Sequence, residues 1–72
     1  MKVFRIYYNY VIKNTKSGEV TKSKKDTFDI ESETRASINT DDVRYKIRKM
    51  ALEVSEKGEE ISHANYYKIG EV

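Results

Sequence analysis

The chain has 72 residues, and although 36% of them are charged, its net charge is only +2. A chain of this length forms one domain, which buries only about 60% of the surface that its unfolded form exposes. The weak net charge argues against a dedicated duplex-DNA binder, which normally carries a strong basic excess. The absence of cysteine excludes disulfides and thiolate metal sites.

The distribution of apolar and charged residues adds two expectations. There is no apolar run of about 18 residues to span a bilayer, and no apolar segment with a cleavage site lies near the N-terminus. Basic and acidic blocks alternate along the chain, which indicates that neighbouring elements neutralise one another. We therefore expect one cytoplasmic domain over residues 1–72.

The segment Val3–Lys13 is the most apolar and aromatic stretch, and it predicts a strand at the centre of the fold. Its odd positions are mixed, whereas its even positions are all apolar or aromatic, which is the period of a strand with one buried face. We expect the even positions to face the core and Tyr7 to face outward. The even positions are Phe4, Ile6, Tyr8, Tyr10 and Ile12.

A hairpin follows this strand. Gly18 can adopt a left-handed backbone without steric cost, as the third residue of a three-residue loop requires. Taking residues 16–18 as the loop pairs Thr15 with Glu19 and predicts a second strand from Val20 to Glu31.

The register set by this loop joins suitable partners far from the turn. Ile6 then faces Phe28 on the core side, and Arg5 faces Asp29 on the other side as an opposite-charge pair. On the core side Phe4 is also opposite an apolar residue, Ile30.

The same register gives polar partners near the turn. Ile12 meets Lys22, and Tyr10 meets Lys24. We infer that this end of the hairpin projects past the core, with the aliphatic stems of the lysines on the tyrosine rings.

A connection over residues 32–39 leads to the helix, and Ile38 is expected to lie under that helix. Thr40 is the predicted N-cap, and the helix is predicted from Asp41 to Lys57, with Lys57 in the last turn and Gly58 as the C-terminal stop. One face carries the apolar residues expected to pack on a sheet. They are Val43, Ile47, Met50 and Val54, with Ala51 at the edge of the stripe.

The tail, Ile61 to Val72, favours a third strand. It would be parallel to the second strand, because the helix crosses back over the sheet and returns the chain to the end where the second strand began. If it pairs with the first strand, the sheet order is 2-1-3 and the crossover is right-handed. The alternative is a frayed tail that pairs with another molecule. The predicted fold is therefore α+β: a small β-β-α-β domain with one helix on a three-stranded antiparallel-type sheet.

No motif predicts catalysis, a metal or a cofactor. His63 is the only histidine and has no clustered partners, so we interpret it as a histidine on the surface of a strand. The acidic pairs at 41–42 and 59–60 fit the ends of the helix, and the glycines are too far apart for a phosphate loop. We therefore expect no enzyme and no cofactor.

The open face of the predicted sheet is the first candidate site. Tyr7 shares that face with Arg5 and Lys25, and it gains an aromatic neighbour if Tyr66 or Tyr67 of the third strand lies beside it. Single-stranded RNA and DNA binders stack bases on such rings, at roughly 1–3 kcal/mol for each base. The same residues serve equally well as a protein-binding hot spot, where Tyr and Arg are enriched.

Two other surfaces remain. The back of the helix carries Tyr45 and Leu52 among basic residues, which suits a solvated face, a dimer contact or a docking surface for an acidic partner. The hairpin lysines form either a solvated edge that opposes aggregation or a contact for phosphates or an acidic groove. The predicted partner-binding residues are Arg5, Tyr7, Lys22, Lys24, Lys25, Arg44, Tyr45, Arg48, Leu52 and Tyr67.

Three functions follow from these surfaces. The leading hypothesis is a stand-alone protein-interaction module, an accessory or inhibitor protein acting on a larger cellular machine. In size and character the chain resembles small accessory proteins of phages and mobile elements, including inhibitors of host defence nucleases. The alternative is single-stranded nucleic-acid binding on the open sheet face, and a third hypothesis is homodimerisation through the helix back or the edge of the third strand.

Overall fold

Three strands and one helix make up the domain in the computed structural model, which describes residues 1–72. Strand β1 covers Lys2–Asn14, strand β2 covers Val20–Ser32, helix α1 covers Thr40–Val54 and strand β3 covers Glu59–Glu71. The sheet order is β2-β1-β3, and β1 is antiparallel to both neighbours. The predicted fold class and strand order are therefore confirmed.

The core lies between the even-numbered face of β1 and the helix. All five even residues from Phe4 to Ile12 are buried, as the period-two pattern predicts. The buried residues of the remaining chain come from the helix and the connection before it. They are Ile38, Val43, Ile47 and Ala51.

The register of β1 and β2 agrees with the prediction along most of the hairpin. Ile6 pairs with Phe28, and Arg5 pairs with Asp29. The register shifts by one residue between Ile12 and Lys13, where β2 carries an extra residue.

The predicted pairing of Thr15 with Glu19 is wrong. The backbone N–H of Asn14 donates to the carbonyl of Glu19 at 2.8 Å, and Gly18, with φ of 74°, donates to the carbonyl of Asn14 at 2.9 Å. The side chain of Asn14 accepts hydrogen bonds from two backbone N–H groups of the loop, which makes Asn14 the last residue of the strand. Thr15 donates instead to the carbonyl of Gly58, through both its backbone N–H at 2.9 Å and its hydroxyl at 3.0 Å.

The hairpin end does not project past the core, so that prediction is also wrong. Ile12 is fully buried and Tyr10 nearly so. The reason is that β3 runs along the whole of β1, with Ile61 opposite Ile12 and Ala64 opposite Tyr10. The core therefore extends almost to the turn.

The helix begins one residue earlier than predicted. Asn39, not Thr40, is the N-cap, and its side-chain oxygen accepts from the N–H groups of Asp41 at 3.0 Å and Asp42 at 3.3 Å. Both residue types cap helices well, so the sequence does not distinguish them strongly. The two aspartates stand in the first turn, where negative charge is favourable.

The helix ends at Val54 and does not reach Lys57. Ser55 is extended, with φ of −76° and ψ of 145°, and its N–H donates to the carbonyl of Ala51 at 3.1 Å. Gly58, with φ of 89°, belongs to the turn that enters β3 and is not the stop of the helix. The predicted basic residue in the last turn is therefore absent.

The predicted apolar stripe of the helix is confirmed in its first part. Val43, Ile47 and Ala51 are buried and Met50 is partly buried, but Val54 is exposed because the helix ends there. The helix lies mainly over β3 and β1, so part of the β2 surface on this side stays open. No helix in the structure has the length and apolar character needed to cross a membrane.

Candidate functional site

The side of the sheet that the helix does not cover carries the odd residues of β1. Tyr7 stands in the middle of this open face, opposite Lys68 of β3 and Thr27 of β2. Its ring is only partly exposed because side chains from both neighbouring strands flank it.

A bulge in β3 brings a second tyrosine to Tyr7. Lys68 is opposite Tyr7, but Tyr66 is opposite Tyr8, so Tyr67 is an extra residue with no partner on β1. The ring of Tyr67 lies beside that of Tyr7, with 6.3 Å between the ring centroids and 58° between the ring planes. Tyr66 packs instead on the core, on the helix side of the sheet.

Two lysines complete this group. The ammonium of Lys25 lies 5.2 Å from the centroid of the Tyr67 ring, and that of Lys68 lies 5.0 Å from the centroid of the Tyr7 ring. Both distances are within the range of cation–π attraction. We call Tyr7, Tyr67, Lys25 and Lys68 the tyrosine–lysine cluster. Tyr67 is 52% exposed, so the cluster is open to a partner.

Hydrogen-bonding side chains continue the open face toward the hairpin turn. The Nε2 of His63 donates to the side-chain oxygen of Asn9 at 3.1 Å, and Asn65 is opposite Asn9 in the sheet. His63 is exposed on the strand surface, which confirms its interpretation from the sequence. These side chains can donate and accept hydrogen bonds next to the charge of Lys25, which is opposite Asn9 on β2.

An ion pair occupies the other end of the open face. The Nε and Nη2 of Arg5 donate to the two carboxylate oxygens of Asp29 at 2.9 and 3.2 Å. The hydrogen bonds raise the pKa of Arg5 and lower the pKa of Asp29. Arg5 therefore shares a face with Tyr7, as predicted, but its guanidinium already has a partner.

The structure separates the three hairpin lysines that the sequence grouped together. Lys25 is on the open face, whereas Lys22 and Lys24 are on the helix side, because successive residues of a strand alternate. Lys24 lies 3.7 Å from Asp26. These lysines therefore do not form one basic patch.

Lys22 instead joins the hairpin to the start of β3. Its ammonium donates to Glu59 at 2.6 Å and lies 3.7 Å from Glu56. Hydrogen bonds from Lys22, the largest cause, and from the Glu56 backbone N–H lower the pKa of Glu59 to about 2. The pKa of Lys22 is raised, chiefly by the hydrogen bond to Glu59. Lys22 thus closes the end of the core.

The back of the helix lies on the opposite side of the domain from the tyrosine–lysine cluster. Tyr45 is 69% exposed, and Leu52 and Arg48 are exposed as well. Arg44 pairs with Asp41 at 3.0 Å. No single flat partner surface can contact both the helix back and the open sheet face.

A shallow groove borders the core on the β2 side. It encloses about 330 Å³, and its apolar floor comes from β2, the connection and the helix. Its apolar lining residues are Phe28, Ile30, Ile38 and Val43.

The sequence did not indicate Lys68 or Asn65 as parts of the site. Both positions depend on the register of β3, and no sequence signal identifies the bulge at Tyr67. No group of three His, Asp or Glu residues is arranged to hold a metal ion.

Together these features define a small α+β domain with an open, aromatic and basic sheet face. No protein-family description matches the sequence, and comparisons with curated proteins and with solved structures give no match either.

Proposed function

We propose that the protein is a non-enzymatic interaction module, an accessory or inhibitor protein that binds an acidic surface of a larger protein through its tyrosine–lysine cluster. The observation that carries the proposal is the adjacent pair Tyr7 and Tyr67, held with two ammonium groups on an uncovered sheet face.

The chemistry of the cluster suits protein recognition. Tyrosine is enriched among the residues that contribute most to protein interfaces. Lys25 and Lys68 form no ion pair within the domain, so they are free to meet carboxylates of a partner. Charge complementarity of this kind speeds association and selects the partner.

The position of the cluster also suits binding. Tyr7 is on the central strand, which is hydrogen-bonded on both sides, so its backbone is fixed before a partner arrives. A rigid site loses less conformational entropy on binding than a flexible one. We further propose a cytoplasmic location, in keeping with a chain that has no cysteine.

The test is affinity capture of partners from a lysate of the source cells, followed by direct binding of the captured protein. We expect Tyr67→Ala to lose capture while its thermal unfolding stays close to that of the wild type, because Tyr67 is half exposed. Tyr45→Ala is the matched control, since it removes an exposed tyrosine from the opposite side of the domain. Full capture by Tyr67→Ala would refute the proposal, and loss of capture by Tyr45→Ala would assign binding to the helix back.

Single-stranded nucleic-acid binding is the second candidate, because paired aromatic rings beside lysines are also what base stacking uses. Two features weigh against it. Each ring already has an ammonium near its face, and Asp29 and Glu31 place negative charge at one end of the open face.

Fluorescence anisotropy with labelled oligo-dT and oligo-rU tests this candidate. Nucleic-acid binding predicts micromolar affinity at low salt that falls steeply as salt rises, and a shallower salt dependence for Lys68→Gln. No binding at low salt would remove this candidate and leave the protein-binding proposal intact.

A further inference from the structure

The outer strands β2 and β3 each leave one edge without a hydrogen-bonded neighbour, but the two edges differ in regularity. Strand β3 has two bulges, at Ser62 and Tyr67, and bulges disturb edge-to-edge pairing. Strand β2 pairs regularly with β1 from Lys22 to Ser32, with its single irregularity at the turn end. The β2 edge is therefore the better template for another strand.

The charges of β2 are arranged to complement a reversed copy of the same strand. The first half carries three lysines and no acid, and the second half carries three acids and no base. An antiparallel second copy brings the basic half of each strand to the acidic half of the other, whereas an in-register parallel copy brings like charges together. The basic residues are Lys22, Lys24 and Lys25, and the acidic residues are Asp26, Asp29 and Glu31.

Strand β3 lacks this property. It has acidic residues at both ends, Glu59 and Glu60 at one and Glu71 at the other. Antiparallel pairing of two β3 strands along their length would set carboxylates against carboxylates, which is unfavourable. The charge pattern therefore favours the β2 edge, as the regular pairing of β2 with β1 does.

The ion pairs within the domain select one register for the β2 pair. Four of the six charged residues of β2 already have ion-pair partners in the domain, and only Lys25 and Glu31 have none. Both are on the open face. A two-fold axis at Phe28 places Lys25 of each copy directly opposite Glu31 of the other, so the two unpaired charges are neutralised twice.

The side of β2 that faces the helix also suits a two-fold axis at Phe28, because its apolar residues are incompletely covered. Phe28 and Ile30 are only partly buried, because the helix lies over β1 and β3. They floor the groove of about 330 Å³ together with Ile38 and Val43. With the axis at Phe28, the two Phe28 rings become cross-strand neighbours and bury part of each other's exposed surface.

We propose that two copies of this chain associate by antiparallel pairing of their β2 strands about Phe28, which joins the two sheets into one continuous six-stranded sheet. This interface goes beyond the proposed function. It leaves Tyr7, Tyr67 and Lys68 of both copies exposed on the same face of the joined sheet, while Lys25 turns from the ring of Tyr67 to Glu31 of the other copy. The dimer therefore presents the two tyrosines and Lys68 twice.

Sedimentation equilibrium of the full chain over a range of concentrations tests the proposal. We expect the mass to rise from 8.5 kDa toward twice that value as the concentration increases. Lys25→Glu and Glu31→Lys each turn two attractions into repulsions, and each should weaken the dimer by about tenfold or more. The double variant Lys25→Glu/Glu31→Lys restores opposite charges and should recover the affinity of the wild type.

A control separates this effect from that of net charge. Lys16→Glu makes the same charge change in the exposed hairpin loop, outside β2, and should leave dimerisation unchanged. Each of three results would overturn the proposal. The first is a monomer at all concentrations, which would leave the β2 edge to an extended segment of a different protein. The second is a dimer that both single reversals leave intact, and the third is a double variant that fails to recover the affinity of the wild type.

Discussion

The side chains on the two faces of β1 are held in place in different ways. On the helix side, burial alone explains the positions of the even residues, all of which are almost completely inaccessible. On the open side no layer covers the strand, and the odd residues are held by pairwise contacts such as Arg5 with Asp29 and Tyr7 with Tyr67. The helix side thus supplies stability, and the open side supplies specific surface chemistry. Substitutions on each side should separate these two contributions.

The largest effect is expected for Ile6→Ala on the helix side. Ile6 is fully buried at the centre of the core, and such truncations cost about 2–5 kcal/mol of unfolding free energy. Urea denaturation followed by circular dichroism measures the loss. Val11→Ala, on the open face of the same strand, is the control and should cost about 1 kcal/mol or less. Equal losses for the two variants would contradict the division between the faces.

A smaller loss of stability is expected when the pH is lowered, because Glu59 on the helix side becomes protonated. The pKa of Glu59 falls from 4.5 to about 2 in the fold, mainly because Lys22 donates a hydrogen bond to it. The folded state therefore binds that proton more weakly than the unfolded chain does. The resulting stabilisation is complete above about pH 4.5 and is lost as the pH falls toward 2.

Thermal melts at a series of pH values test this expectation. Glu59→Gln should remove much of the loss of stability between these pH values. Glu60→Gln, a change at the neighbouring residue that forms no ion pair, should not. An acid dependence in Glu59→Gln that matches the wild type would show that the Lys22 contact does not stabilise the fold.

The smallest effect is expected for the ion pair on the open face. Both partners of the Arg5–Asp29 pair are well exposed, so water and salt screen their attraction. A double-mutant cycle with Arg5→Gln and Asp29→Asn should give a weak favourable coupling that shrinks as salt is added. A coupling as large as the effect of Ile6→Ala would mean that the open face contributes to stability as the core does.

The sequence was sufficient to predict which residues of β1 face the helix, but it did not show that the core extends to the hairpin turn. Period-two alternation identified the buried residues of β1, and the opposite charges of Arg5 and Asp29 supported the correct register with β2. Local details were missed where two neighbouring residues are both good helix caps, as with Asn39 and Thr40. The end of the helix was missed because no strong helix breaker precedes Gly58.

The open side could be predicted only in part. That Tyr7 faces outward followed from alternation, but its partner on β3 depended on the register of a strand with two bulges. Neither Ser62 nor Tyr67 has a sequence feature that distinguishes it from a regular strand residue. On the helix side, the link from Lys22 to Glu59 depended on the same β3 register, which explains why the sequence assigned Lys22 to a partner surface.

The most direct test of the account is a nuclear Overhauser spectrum of the protein in solution, since the bulge at Tyr67 determines which tyrosine joins the candidate site. We predict cross-peaks between the ring protons of Tyr7 and Tyr67, and backbone cross-peaks that place Tyr8 opposite Tyr66. A spectrum in which the ring of Tyr66 contacts Tyr7, while the ring of Tyr67 contacts the helix side, would contradict the account.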